Sequence, residues 1–491
     1  MYGMTEIQKK EKAYLTVYLS LVFGIVLSLL LTLIEGAAIG ATRAQAELVA
    51  DLGLDAVFAE YHREILDQYE LFFIDTSYGS QNGGIGMTEK HLSDYMAKNI
   101  APDKDVGAFG GITYLKLANP YLEIREASYA SDNYGAVWKA QAVAYMKAVY
   151  GGDIINTVKD HIEVVQKNEM DTRDVASELK KQKEEFEKAL AEKEIIELDT
   201  ETSDGNSYTK VSKLIDKLIS GTFLKMVIPS GEKLSQASVH TNDYYSGRVR
   251  AGKVKSGVGL HEGASGADGL ADELIYGEYL MKVCGNYRNQ KEDSVLKYQI
   301  EYILYGFSSD ASNLSACLAT LFAVRSAGNL IAIYSNSGMK AQAEAVAEIL
   351  CCLIACPELT PVLKNILLGV WALAESVADM KNLLDGGKVP LIKKEGQWSL
   401  SLSGVLSGNF FGGGKKEEGL SYQAYLRVLL GLMNQQKKVA RSLDIVEMDI
   451  RETEGNANFR IDQCIDYMKV NFGFMDAAGH DFVFEKMMCY E

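Results

Sequence analysis

The stretch LLLTLIEGAAIGATRAQAELVA, residues 29–50, begins as a hydrophobic run and continues into an alanine-rich segment that favours helix. The run starts earlier than this stretch, because residues 13–34 contain no charged side chain. About 20 apolar residues, rising ~1.5 Å each, cross a bilayer core of ~30 Å. We therefore predict a transmembrane helix at 13–34. A cleaved signal peptide is the alternative, although its apolar core usually spans only about 7–15 residues.

The charges on either side of the run predict its orientation. Lys9, Lys10 and Lys12 precede the run, whereas Glu35 is the first charge after it. Because Lys and Arg near a span favour the cytoplasmic side, we expect a cytoplasmic tail at 1–12 and an extracellular body. The whole chain has a formal net charge of −16. Such an acidic chain argues against nucleic acid as a partner.

The helix is predicted to continue beyond the membrane. With no proline between residues 13 and 68, the pattern indicates one helix of about 55 residues, roughly 80 Å long. Apolar and small residues recur on its outer half at spacings of four, three and four: Ala46, Ala50, Gly53 and Val57. Because small residues allow close helix packing, we predict that these four and Glu35 form the packing and assembly surface. For Glu35 two interpretations stay open: it marks the water boundary, or it pairs with a neighbouring helix.

The strand patterns predict an α+β fold class. Alternation near 115–128 suggests a hairpin around Pro120, and "VPLI" at 389–392 with the following "WSLSL" suggests further strands. A second hairpin is predicted from 468–474 and 482–484, with "AAGHD" as its turn. We expect the strands near both ends of the body to share one sheet.

Helices are predicted over most of the remaining chain. The largest block is 270–386, in which Arg325 and other charges break up the apolar segments, so we predict buried core helices and a single membrane span. Ser421 is a candidate N-cap for the helix that follows it. The charged segment 155–200 carries a sparse apolar stripe. It is predicted to form a solvated helical arm, with a partner-binding coiled coil as the alternative.

The sequence offers little chemistry. "GNFFGGGKKEEG" at 408–419 has the wrong spacing for a phosphate-binding loop, and no Cys/His spacing matches a zinc site. "FFIDTSYG" at 72–79 contains Asp75, Thr76 and Ser77, a pattern similar to the metal site of von Willebrand-type domains that lacks its second Ser. A strand leading into a loop is the simpler interpretation. We therefore predict no cofactor, no metal and no enzymatic activity.

Cysteine usage leads to a similar conclusion about disulfides. The chain contains seven cysteines, and three of them, Cys351, Cys352 and Cys356, lie in one apolar stretch. Buried free thiols are the simplest interpretation of that stretch. A disulfide framework is not expected at this density.

The N-terminal region resembles a known family. The basic flank, the span ending in Ile-Glu-Gly and the stretch "AAIGATRAQAELVADLGLDAVFAEY" resemble the minor pilins of tight-adherence (Flp-type) pili. Through "ELFFIDTSYG" the chain more closely resembles an uncharacterised family of clostridial membrane proteins that accompanies tight-adherence secretion machinery. Further matching stretches are "EYILYG" at 301–306, "WALAESVADMKNLLDGGKVPLIKK" at 371–394 and "LSYQAYLRVLLGLM" at 420–433. None of these motifs carries a known chemistry.

One feature departs from the pilin pattern. Prepilin processing needs a Gly before the apolar run and usually a Glu at its fifth position. Here Lys12 precedes the run and Val17 stands fifth, so we expect a mature N-terminus near Met1.

The predicted organisation is a cytoplasmic tail at 1–12, a transmembrane helix at 13–34, a helical stalk at 35–75 and an extracellular α+β domain at 76–491. The resemblance implies a membrane-anchored, pilin-like structural or assembly component of a tight-adherence-type pilus or secretion apparatus. Its partners would be the membrane, other subunits of the apparatus and, as an option, further copies of the chain. The alternative is a single-pass receptor or scaffold that binds an extracellular partner. A weaker third option is an exported hydrolase whose dispersed active site the sequence does not reveal.

Overall fold

The computed structural model describes twelve parts of the chain: residues 3–81, 83–100, 117–149, 153–193, 201–202, 207–220, 227–228, 234–261, 267, 269–410, 417–476 and 478–490. Within these ranges the chain is mostly helical and contains a small antiparallel sheet, in agreement with the predicted α+β class. Within the glycine-rich stretch 408–419, residues 411–416 lie outside the described residues.

The N-terminal helix α1 (Gly3–Phe58) runs for 56 residues without interruption. The prediction of one helix that continues from the apolar run is therefore confirmed. The predicted helical stalk to residue 75 is wrong beyond Phe58. There the chain turns, since the backbone N–H of His62 donates to Phe73 O at 2.8 Å, and a separate short helix α2 (Arg63–Tyr69) follows.

Strand β3 is the centre of the sheet and pairs antiparallel with each of the other three strands. The strands are β1 (Ile74–Asp75), β2 (Leu117–Tyr129), β3 (Cys464–Asp476) and β4 (Asp481–Cys489). The β3–β4 hairpin and the sharing of one sheet between β2 and β3 are confirmed. The predicted hairpin around Pro120 is wrong, because β2 is one strand whose register shifts between Ala118 and Tyr121. Proline removes one ladder hydrogen bond, which a bulge accommodates without a turn.

Helix α1 lies on the sheet together with helix α3 (Ile85–Ile100). The apolar side of α1 and the inward side chains of the strands form a core of their own, which includes Leu54, Met468, Val470 and Phe472. The first and last parts of the chain are thus joined in one helix-on-sheet unit.

A larger core is built by the helices between β2 and β3. These helices are α4 (Asp132–Val149), α5 (Asp153–Lys167), α6 (Val175–Glu192), α7 (Tyr208–Ile219), α8 (Tyr245–Arg250), α9 (Leu270–Val283), α10 (Gln299–Tyr305), α11 (Asp310–Ser335), α12 (Ser337–Leu353), α13 (Thr360–Leu384), α14 (Leu402–Leu406), α15 (Tyr422–Leu432) and α16 (Gln435–Arg451). The predicted cap is confirmed, since Ser421 Oγ accepts from Ala424 N at 3.2 Å. The predicted strands at 389–392 and "WSLSL" are wrong: only an isolated bridge between Val389 and Leu420 forms there.

The charged segment 155–200 does not project as an arm. Its described residues form α5 and α6, whose apolar side chains are buried in the larger core, among them Val175, Leu179, Phe186 and Leu190. The reason is that these positions share one face of α6, which packs against α13, while most of the charged side chains lie on the other faces.

Three helices in the described part of the chain are long and apolar enough to cross a membrane. In α11 and in Pro357–Leu384, 72% and 78% of the most apolar segment is buried inside the body, whereas in α1 none of it is. The burial of α11 and α13 fits their predicted role as core helices. The N-terminal helix is the membrane-anchor candidate.

Candidate functional site

Helix α1 has two halves with different surroundings. From residue 14 to residue 38 every side chain is exposed, whereas Ala46, Ala50 and Val57 are fully buried. A Cβ on Gly53 would lie 3.0 Å from Leu92 Cδ1 and about as close to a second side chain of α3. The predicted packing residues therefore pack within their own chain. A contact with another subunit through these four positions would have to displace that core.

Glu35 lies at the boundary between the two halves, and its side chain is exposed. Ile39, which is partly covered, and Thr42, which is 3% exposed, follow it at spacings of four and three. These spacings put all three on one side of the helix. Glu35 therefore faces the side on which the body sits, about one turn before the body begins.

The opposite face of α1 carries an exposed apolar pair that sequence reasoning missed. Leu48 is 57% exposed and Leu52 is 43% exposed, four residues apart on the half that packs against the body. The pair was detectable as an i, i+4 leucine repeat, but which helix face meets the core is decided by the sheet. This face is available to a second helix.

The far end of α1 is held by the last residues of the chain. The Phe58 and Tyr490 rings lie 4.9 Å apart, and the Tyr490 hydroxyl donates to Phe58 O. Lys486 on β4 forms an ion pair with Asp51. Helix α1 is therefore fixed to the body at its C-terminal end by the residues around β4.

A polar cavity of about 290 Å³ opens beside the end of α1. It is lined by Glu60, Tyr61, His62, Asp75, Tyr78, Gly79, Gly455 and Asn456. Burial raises the pKa of Asp75, although Ser77 donates to its carboxylate from both N and Oγ at 2.8 Å. Burial lowers the pKa of His62, whose Nε2 lies 3.2 Å from Asn456 Oδ1.

The second carboxylate of this cavity belongs to Glu60. It accepts hydrogen bonds from Tyr95 at 2.7 Å and from Tyr78 at 3.0 Å, and His91 Nδ1 lies 3.0 Å from it. Two carboxylates with tyrosine and amide groups form a site suited to a ligand that donates hydrogen bonds. These residues come from positions up to 396 apart, so no sequence motif contains them.

The Asp-Thr-Ser segment is a strand leading into a loop, as predicted. Asp75 ends β1, Ser77 bonds back to Asp75, and Thr76 Oγ1 donates to Gln463 O at 2.7 Å. Across the described residues no group of three His, Cys, Asp or Glu side chains could hold a metal ion. The oxygens of this segment already take part in local hydrogen bonds.

A buried ionic network lies in the centre of the helical body. Arg325, which is fully buried, donates to Asp379 at 2.9 Å, and Lys393 Nζ lies 2.6 Å from the same carboxyl group. Lys393 also pairs with Glu375, which accepts from the backbone N–H groups of Ser399 and Leu400 at 2.7 and 2.9 Å. Every charge in this network is paired, which makes it a structural element connecting α11 and α13 to the chain after them.

The comparison with known proteins bears on this helical body. Residues 201–476 match DUF5702, which is described as a family of unknown function, and this match covers more than half of the 491 residues. The chain belongs to the DUF5702 family. No curated protein and no solved structure matches the chain.

The DUF5702 match includes some of the features described above and leaves out others. It contains the Arg325 network, the three thiols at the end of α12 and strand β3, but not α1, β2 or β4. The cavity beside α1 is shared, because Gly455 and Asn456 fall within the DUF5702 residues and the rest of its lining does not. Helix α1 therefore packs on a sheet whose central strand is part of the DUF5702 match.

Proposed function

We propose that this protein is a membrane-anchored, pilin-like structural or assembly component of a tight-adherence-type pilus or secretion apparatus. In this proposal α1 crosses the membrane once, with its N-terminus in the cytoplasm and the body outside. The observation that carries it is the continuity of α1: one 56-residue helix is exposed and apolar from residue 14 to residue 34 and is packed into the body between Thr42 and Phe58.

The physical argument concerns rigidity. A receptor tether needs only a span and a flexible linker, whereas a helix held by the sheet and by the C-terminal residues sets the orientation of the body relative to the membrane. Each large apolar side chain left in water forgoes roughly 1.5–3 kcal/mol of burial energy. The exposed apolar segment of α1 therefore has to lie in a bilayer or against other helices. A subunit that moves from the membrane into an assembly meets both environments.

The exposed leucines provide the test of assembly. The double variant Leu48→Glu/Leu52→Glu should insert and fold normally, because both side chains are exposed. It should lose co-purification with a second, differently tagged copy and with pilus subunits encoded beside it. Leu270→Glu is the matched control, since Leu270 is a 56% exposed leucine on a helix of the distant body. Recovery of the double variant in complexes at the wild-type level would contradict the proposal.

The polar cavity favours the second candidate function, a single-pass receptor or scaffold. Its two carboxylates, tyrosines and asparagine suit an extracellular ligand with several hydrogen-bond donors, such as peptidoglycan. The test is sedimentation of the full chain, in detergent, with isolated peptidoglycan. Binding that Tyr61→Ala abolishes and Leu270→Glu preserves would favour the receptor function, whereas binding unaffected by Tyr61→Ala would remove the cavity from consideration.

A further inference from the structure

Three thiols lie at the end of helix α12: Cys351, Cys352 and Cys356. The end of this helix has the geometry of a Schellman motif, because Cys356 N–H donates to Cys351 O at 2.8 Å and Ala355 N–H donates to Cys352 O at 3.1 Å. Ala355 takes the left-handed conformation that this motif requires, with φ +53°. In Schellman motifs the side chains at the positions of Cys351 and Cys356 commonly contact each other.

The hydrogen bond limits how far apart these two cysteines can be. A Cα lies about 2.4 Å from its own carbonyl oxygen, and a backbone N lies about 1.46 Å from its Cα. With a hydrogen bond of 2.8 Å between them, the Cα atoms of Cys351 and Cys356 cannot be more than about 6.7 Å apart. Disulfides join Cα atoms that are roughly 4.4–6.8 Å apart. The backbone therefore already meets the distance requirement for a disulfide.

The three thiols differ in their surroundings. Cys351 and Cys356 are buried, with 0% and 1% of their surface exposed, and in the structure they are not joined in a disulfide. Burial raises the pKa of the Cys351 thiol, and the nearby Cys356 raises it further. Cys352 is exposed. Burial therefore distinguishes Cys351 and Cys356 from the exposed Cys352.

We propose that Cys351 and Cys356 are a redox modification site, at which a low-molecular-weight disulfide such as oxidised glutathione joins them. The thiolate of one cysteine attacks the oxidant and releases one glutathione thiol, and the second cysteine then displaces the other glutathione. The two protein thiols lose two electrons and two protons, and the oxidant is reduced to two thiols. Because both sulfurs are buried, the reaction requires transient opening of the last turn of α12.

The modification would act on the connection between three helices. The residues after Cys356 form the short turn Pro357–Leu359 that leads into α13, and Glu358 in that turn pairs with Lys193 beyond the end of α6. A disulfide would lock the helix end against fraying and so hold this turn in place. In the reduced protein the helix end is held by non-covalent contacts, among them the two backbone hydrogen bonds of the motif.

The experiment uses the full chain in detergent, treated with oxidised glutathione and then alkylated and digested with trypsin. All three thiols fall in one peptide, residues 341–364, which has no internal Lys or Arg. We expect its disulfide form to carry one alkyl group, on Cys352, so that it is lighter than the fully alkylated reduced peptide by two alkyl additions and two hydrogen atoms (about 2 Da). Dithiothreitol should restore three alkylation sites.

Two single substitutions separate the pair from the third thiol while leaving equal numbers of cysteines. Cys352→Ser should form the disulfide as the wild type does, and Cys356→Ser should lose it, with both variants unfolding at temperatures near that of the reduced wild type. A linkage that includes Cys352, or a wild-type peptide that keeps three alkylated thiols after oxidation, would overturn the proposal.

Discussion

Lys486, five residues before the end of the chain, forms an ion pair with Asp51 on the N-terminal helix, 435 positions earlier. The pair is partly exposed at both ends, with 24% and 52% of the side chains accessible. Next to it the rings of Phe58 and Tyr490 pack together. Strand β4 and Tyr490, which follows it, thus hold α1 by an ion pair, by a ring contact and by the hydrogen bond from the Tyr490 hydroxyl to Phe58 O.

The apolar contact should dominate that junction. Lys486→Ala is expected to lower the free energy of unfolding by less than about 1 kcal/mol, because water and salt screen an exposed pair. Phe58 is only 4% exposed, so Phe58→Ala should cost about 3–5 kcal/mol. Thermal unfolding of both variants in the same detergent measures the difference. Equal losses would mean that the junction depends on charge.

Gly53 should be intolerant of large side chains for an intramolecular reason. Leucine at this position would collide with Leu92 and Met96 of α3, since even its Cβ would lie 3.0 and 3.1 Å from them. Overpacking of this kind costs about 1–3 kcal/mol. We expect Gly53→Leu to lower the unfolding temperature, and Gly36→Leu, where nothing lies within 4 Å of the added Cβ, to leave it unchanged. An unfolding temperature for Gly53→Leu equal to that of the wild type would contradict this packing.

Glu35 should matter for assembly and not for anchoring. A carboxylate at the edge of the bilayer costs less than the roughly 2.5–3.5 kcal/mol of one at the midplane, so Glu35→Gln should insert and express normally. If the carboxylate pairs with a cation of a neighbouring helix, the variant should be recovered less often in complexes. Asp55→Asn is the control, an exposed carboxylate on the same helix. Identical recovery of both variants and the wild type would leave Glu35 as a boundary residue.

Stability should fall as the pH rises from about 4 to 7. Burial raises the pKa of Asp444 from 3.8 to about 7 in the folded chain, where Ser246 N and the Tyr302 hydroxyl contact its two oxygens at 2.7 and 2.9 Å. Between pH 4 and pH 7 the unfolded chain has already released the Asp444 proton, whereas the folded chain still holds it. Raising the pH in this range therefore favours the unfolded state. The contribution of Asp444 to stability is fully present below the pKa of this group in the unfolded state, and it is lost as the pH rises through its pKa in the folded state.

The variant Asp444→Asn isolates this contribution, because asparagine can accept from Ser246 and donate to Tyr302 without a titrating proton. Its free energy of unfolding should change less between pH 4 and pH 7 than that of the wild type, by up to about 1.4 kcal/mol per pH unit. Denaturant unfolding at several pH values measures both slopes. If the free energy of unfolding changes with pH equally in the two proteins, the pKa of Asp444 does not differ between the folded and unfolded states.

The exposed thiol Cys352 tests the orientation of the body. If the body is outside the cell, a membrane-impermeant maleimide should label Cys352 in intact cells, because this side chain is exposed and its two neighbours in the motif are buried. Cys352→Ser should lose most of that labelling. Labelling that appears only after the membrane is permeabilised would place the body in the cytoplasm.

By itself the sequence determined the long N-terminal helix, the β3–β4 hairpin and the Ser421 cap. Each of these depends on an unbroken local pattern: an apolar run without proline, alternation around a turn, or a serine before an apolar stripe. Local pattern was also enough to identify Arg325 as a charge within a core helix, although not its partners Asp379 and Lys393.

Tertiary structure alone decided which surfaces of those elements are free. Helix α6 is highly charged, yet its apolar stripe is buried against α13, and β2 forms a bulge near Pro120 because β3 continues the pairing on both sides of it. That sheet and helix α3 cover the face that carries Ala46, Ala50 and Val57 and leave Leu48 and Leu52 exposed. Helical periodicity shows which residues share a face of a helix but not what that face contacts. The contacts of α1 depend on strands more than 400 residues away, and the hydrophobic effect is non-directional, so an apolar face does not specify its partner.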